Sequence, residues 1–116
     1  MDSAIKLRWL KALRSGAYEQ GKGFLRKHLD KDCFCALGVL CDLYAKEHKI
    51  DWELNLGKSG RYSILGRWDI PTSQIIAWAY LYMKHPNSGH VIEKISTMND
   101  IGETFQTIAD YIENEL

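Results

Sequence analysis

Gly21-Lys22-Gly23-Phe24-Leu25-Arg26-Lys27-His28-Leu29-Asp30-Lys31-Asp32-Cys33-Phe34-Cys35-Ala36-Leu37-Gly38-Val39-Leu40-Cys41-Asp42 is the stretch on which the fold turns. Gly21 and Gly23 break any preceding helix. Residues 23–28 read as a short strand, Leu29-Asp30-Lys31 as a turn, and Asp32–Cys35 as an antiparallel return. An isolated hairpin is marginal in water, so this one must pack on helices. From Ala36 to His48 the pattern becomes helical. Leu37, Leu40, Cys41 and Tyr44 share one face, and Val39 and Leu43 widen it, as expected of a central, well-buried helix.

On the N-terminal side, residues 3–15 form an amphipathic pattern with Ile5, Trp9, Leu10, Ala12 and Leu13 as its stripe. Ser3 is the expected N-cap, and Gly16 suits a left-handed stop. On the C-terminal side, Trp52, Leu54 and Leu56 alternate with polar residues as one strand would. Gly57-Lys58-Ser59-Gly60 reads as a turn, and Arg61–Trp68 as another strand. Pro71 opens a helix expected to reach about Met83, with Ile75, Trp78, Ala79 and Tyr82 inward. A loop over residues 85–89, a short helix over Val91–Met98, an interruption at Asn99–Gly102 and a last helix over Glu103–Glu115 complete the reading. The fold class is α+β: one mostly helical domain, residues 1–116, with four to five helices and a small antiparallel hairpin or sheet.

Length and composition agree. A chain of 116 residues, 46% hydrophobic and 26% charged, suits one globular domain with its own core. No apolar run approaches the ~18 residues of a membrane span, and no secretory signal opens the chain. A cytoplasmic location is expected, where the three cysteines stay reduced. Net charge is zero, yet residues 1–31 hold eight Lys/Arg against three Asp/Glu, and residues 90–116 one Lys against six Asp/Glu. Solvated helix faces would account for this, as would a basic pocket for an anion on one side or self-association of the two ends, and the overall balance argues against binding a nucleic-acid polymer.

The chemical signatures are incomplete. Cys33, Cys35 and Cys41 with His28 or His48 lack the second ligand pair of a structural zinc site, and Cys41 falls on the core face of a helix. A cysteine nucleophile would need a base, for which His28 is the candidate, and an orienting group that is not evident. Gly21-Lys22-Gly23 follows a helix and precedes a strand, the reverse of a dinucleotide fingerprint. Gly-Lys-Ser at 57–59 lacks the upstream glycine of a P-loop. A helix-turn-helix at the C-terminus would place an acidic helix against phosphates. No metal or cofactor is expected. A small-molecule pocket remains: Arg14, Tyr18, Gln20, Arg26, Arg61 and Arg67 supply donors, and Trp9, Trp52, Tyr62 and Trp68 supply faces. Arginine forks match phosphate oxygens and aromatic faces stack on bases.

Trp9, Ala12-Leu13-Arg14-Ser15-Gly16, Tyr18, Gln20-Gly21, Gly23 and Leu25-Arg26, followed by Phe34-Cys35 and Leu37-Gly38-Val39-Leu40-Cys41-Asp42-Leu43, resemble a family of small phage and prophage proteins. The tail Asn99-Asp100-x-Gly102-x-x-Phe105-x-x-Ile108-Ala109-x-x-Ile112 resembles it too. Ala36 stands where the family has a second cysteine, and residues 49–70 lie outside the resemblance. The resemblance implies a phage accessory protein acting inside a bacterium, a setting that includes sponges for nucleotide immune signals. The expected function is non-catalytic sequestration of a small nucleotide-like ligand by Arg14, Tyr18, Gln20, Arg26, Arg61, Arg67 and Trp68, in a homo-oligomer. The alternatives are an adaptor or inhibitor docking on another protein, and a small Cys/His enzyme.

Overall fold

The central helix forms where the sequence places it, over Ala36–His48 (α2). Cys35 caps its N-terminus, its Sγ accepting from the Gly38 N–H at 3.3 Å. Lys49 ends it in the left-handed conformation, φ 54°, with its N–H on the Ala45 carbonyl. Leu37, Val39, Leu40 and Cys41 are essentially inaccessible, because α2 is covered on several sides. Fully burying one such leucine contributes about 2 kcal/mol.

The computed structural model describes residues 1–55, 57, 60–81 and 91–116, and the backbone alone of 88–90. Within these, four more helices surround α2: α1 (Ser3–Arg14), α3 (Ser73–Trp78), α4 (Ser88–Asp100) and α5 (Phe105–Glu115). α1 packs against α2 and α5, and α4 against α2 and α5. Trp9 fixes the α1–α2 contact, with its indole fully buried and Nε1–H donating to the Ala36 carbonyl at 2.9 Å. The helix starts follow side-chain capping. Asp2 caps α1 in place of the expected Ser3, accepting from the Ile5 N–H at 2.9 Å. Thr72 and Thr104 cap α3 and α5.

Five short strands form one sheet: β1 (Glu19–Gln20), β2 (Arg26–His28), β3 (Asp32–Phe34), β4 (Glu53–Asn55) and β5 (Arg61–Ser63), in the order β1-β3-β2-β5-β4. The predicted hairpin is β2–β3, with Arg26 opposite Phe34 and His28 opposite Asp32. The sheet is mixed, because β1 joins β3 in parallel, a pairing that no local pattern announced. β5 ends at Ser63, five residues short of the expected Trp68. Ile64 and Arg67 instead exchange backbone hydrogen bonds around Leu65-Gly66, both at positive φ, a tight turn that halts the ladder. α4 begins at Ser88, so the loop expected at 85–89 gives way to helix at its C-terminal end. The helix expected from Pro71 to about Met83 is shorter: α3 starts after its Thr72 cap and stops at Trp78, where Ala79 caps it and Tyr80 turns left-handed at φ 57°. Leu56, the Lys58-Ser59 pair and residues 82–87 lie outside the described residues. No helix among the described residues is long and apolar enough to cross a membrane. The architecture is α+β.

Candidate functional site

Two glycines bring the sheet onto the helices. A Cβ on Gly38 would overlap the Leu25 carbonyl oxygen. That close approach lets Leu25 accept from the Cys35 N–H at 3.2 Å at the mouth of α2. Gly60, at φ 77°, approaches the His28 carbonyl in the same way and joins β5 to β2.

Register then decides which side chains meet. Lys27 pairs with both Cys33 and Arg61, so these three share one face of the sheet. Arg26, Phe34 and Tyr62, one residue along, share the other. On that second face the Arg26 guanidinium lies 4.1 Å from the Tyr62 ring centre, 5.1 Å from Phe34 and 5.5 Å from Trp52. Asp32 holds it in an ion pair and also takes His28 Nδ1 at 2.7 Å. Partial burial pushes the Asp32 carboxyl up, but hydrogen bonds and charge from Arg26 and His28 outweigh it and hold the group below its ordinary value.

A second carboxylate fixes the opposite wall. Asp42 is 7% exposed. Its Oδ1 accepts from Trp52 Nε1 at 3.0 Å, and its Oδ2 from the Tyr18 hydroxyl at 2.6 Å, with Lys46 Nζ at 3.2 Å. Burial and the bond to Asp42 push the Tyr18 phenol up. The hydrogen bond to Tyr18 and the charge of Asp42 raise the Lys46 ammonium. Between the two walls lies a cleft of about 650 Å³. Arg26, Trp52 and Tyr62 line it, Asp42 and Lys46 flank it, and Lys49 and Asp51 stand at its exposed rim. That volume suits a small ligand.

The seven residues expected to form one site divide into five groups. Arg26 lines the cleft, and Tyr18 braces it through Asp42. Arg61 stacks on Trp68 at 3.9 Å, on the opposite face of the sheet, beside Asn55 and Ser63. Arg67 binds Asp69 in the following loop. Arg14 joins α1 to α5 through Asp110 at 2.8 Å and Glu113 at 3.1 Å. A cation in the last turn of α1 thus meets the acidic C-terminal helix. Trp9, offered as a stacking face, is core.

Gln20 belongs to a buried polar hub. Its Nε2 donates to the Glu103 carbonyl at 2.7 Å and to Asn99 Oδ1 at 3.0 Å, and its Oε1 accepts from the Phe105 N–H at 3.2 Å. Asn99, 1% exposed, also accepts from the Ala36 N–H at 3.1 Å and donates to the Gly21 carbonyl at 2.6 Å. Two side chains therefore tie β1, the start of α2 and the α4–α5 turn together. They build the scaffold and leave nothing for a ligand.

The cysteine route loses its geometry. Cys33 faces away from His28 across the pleat, and burial first, with the charge of Glu19 next, raises its pKa. Burial pushes Cys35 up to about 11 and raises Cys41 well above its ordinary value. None is a ready thiolate near neutral pH. Among the described residues no group of three or more His, Cys, Asp or Glu is placed to hold a metal ion.

Sequence reasoning overlooked Asp32, Asp42, Lys46, Lys49 and Asp51. One signal was available for Asp42: it interrupts the apolar run from Ala36 to Ala45, four residues before Lys46. No curated protein and no solved structure matches the chain. A family model does, over residues 1–116, and the chain accordingly belongs to the family described as a domain of unknown function, DUF8296.

Proposed function

We propose that this domain is a non-catalytic binder that sequesters a small, planar, phosphate-bearing ligand of the nucleotide class in the cleft between α2 and β5. The observation that carries the reading is the aromatic corner of Trp52 and Tyr62, set edge-to-face at 82° and braced by Arg26, with Lys46 and Lys49 beside it. Aromatic faces stack on bases, and ammonium groups attract phosphate. Buried, protonated thiols and a His28 committed to Asp32 favour binding over turnover. The resemblance to phage proteins supports a role inside a bacterial cell, and a closed homo-oligomer would suit sequestration by shielding the captured ligand.

Titration calorimetry with nucleoside monophosphates, cyclic mononucleotides and cyclic dinucleotides tests the reading. Saturable heat that Trp52→Ala removes, with the ligand recovered unchanged, is the expected result. An absence of heat across all three sets refutes it.

A second reading, docking on another protein, is favoured by one observation. Leu65, Trp68 and Ile70 are each about 40% exposed around one short loop.

A further inference from the structure

Leu65 occupies a backbone conformation that leucine rarely adopts. Ile64 and Arg67 exchange backbone hydrogen bonds at 2.8 and 3.0 Å around Leu65-Gly66, whose φ angles are 50° and 85°. A turn of this kind ordinarily takes Asn, Asp or Gly at its first central position, because a larger residue's Cβ crowds its own backbone there. Burial does not offset that cost. Leu65, Trp68 and Ile70 are each about 40% exposed, and among the described residues none of the three belongs to the core cluster or packs against it. The loop is nonetheless held firmly. Ile64 is buried, the Trp68 carbonyl accepts from the Leu25 N–H at 2.8 Å, and the Arg61 guanidinium stacks on the Trp68 indole at 3.9 Å. A fixed loop that turns three apolar side chains outward, one of them from a strained position, suits a contact made outside the chain.

We propose that this contact is with a second copy of the chain, in a two-fold dimer, whatever the cleft binds. Charge selects that occupant. Arg61 and Arg67 stand in the patch with Asp69 and Asp100, whereas an anionic membrane surface calls for a basic cluster. A two-fold axis sets the Arg67–Asp69 pair of one loop against the same pair reversed, so each arginine meets an opposite charge. The chain's net charge of zero adds no general repulsion between copies. The patch also carries both halves of a fit. Leu65 projects from the turn, and beside Trp68 lies a hollow of about 160 Å³ lined in part by Phe24 and Ile70. An isologous contact uses both halves twice, each Leu65 entering the other copy's hollow, with Trp68 as the aromatic anchor. Arg61 and Trp68 lie on the face of the sheet away from the cleft, so association and ligand binding are separate properties.

Sedimentation equilibrium between about 1 µM and 1 mM tests the proposal, a span that covers interfaces at the small end of the size scale. The expected result is a reversible monomer–dimer equilibrium within it. Leu65→Asn should weaken the dimer about tenfold or more, the scale of one lost anchor. It should also leave the monomer's Tm, measured at the lowest concentration, unchanged or raised, because Asn enters the left-handed region more readily. A leucine that merely supported the fold would lower that Tm on replacement. Ile70→Ser and Arg67→Glu should each weaken the dimer by a separate route. A chain that stays monomeric to about 1 mM, a dimer indifferent to Leu65→Asn and Ile70→Ser, or a lowered Tm for Leu65→Asn overturns the proposal. Flotation of a monomeric chain with phosphatidylserine-containing vesicles, lost in Leu65→Asn, also overturns it and assigns the loop to a lipid surface. Each of these failures leaves the cleft reading standing, since calorimetry on Leu65→Asn should give the wild-type ligand affinity.

Discussion

Replacing Asn99 by alanine should unfold the junction on which the rest of the domain hangs. The side chain is 1% exposed and makes three hydrogen bonds: from Ala36 N–H, from Gln20 Nε2 and to the Gly21 carbonyl. Gln20 Nε2 keeps its second acceptor, the Glu103 carbonyl. The Ala36 N–H and the Gly21 carbonyl lose the side-chain partner that Asn99 supplies. A buried polar group left unsatisfied costs about 1–3 kcal/mol, so two give roughly 2–6 kcal/mol. Water entering the vacated volume lowers this toward about 3 kcal/mol, a factor of over a hundred in the folding equilibrium. For a domain of this size that is a fall in Tm of about 10–15 °C. Urea unfolding followed by tryptophan fluorescence measures it, since Trp9 donates to the Ala36 carbonyl beside the hub. Gln20→Ala should cost a comparable amount, and the double variant less than the sum by about 1 kcal/mol, because the Gln20–Asn99 bond is removed twice. A loss below about 0.5 kcal/mol for Asn99→Ala would refute the assignment of this pair to the scaffold.

Gly38→Ala should abolish soluble expression or leave a non-cooperative helical species by circular dichroism, because its Cβ meets backbone at Leu25 that no rotamer can relieve; a cooperative variant near wild-type Tm would refute this. The Asp32 carboxyl is held below its unfolded value of 3.8, so its contribution is fully present above that value and is lost as pH falls through the lower folded one. Asp32→Asn should therefore flatten the stability profile below about pH 4, measured by urea midpoints; an unchanged slope there would refute the reasoning.

Much of the fold was legible because it rests on local physics. The helical spacing of Leu37, Leu40, Cys41 and Tyr44 placed α2 at its observed ends, and the polar turn at residues 29–31 placed the β2–β3 hairpin. Helix starts were less legible at single-residue resolution, since Asp2 and Ser3 are both competent caps and only backbone geometry chose Asp2. The parallel pairing of β1 with β3 joins residues on either side of β2, and nothing in the two-residue Glu19-Gln20 segment encodes it.

The residue types of a polar site were visible in the sequence, but their sorting was not. Arg14, Gln20, Arg26 and Arg61 look alike along the chain, each a donor near a glycine or an aromatic residue. Tertiary structure sent Arg14 to the acidic helix, Gln20 to Asn99 79 positions away, Arg61 to one face of the sheet and Arg26 to the other. The last division is set by register, because a one-residue offset across the pleat reverses which side a group occupies. Local spacing determined the helices and the hairpin by itself, because a periodic apolar stripe needs only its neighbours to define a face. The cleft was decided by long-range pairing, which alone brings Asp32, Asp42 and the rim charges around the same volume.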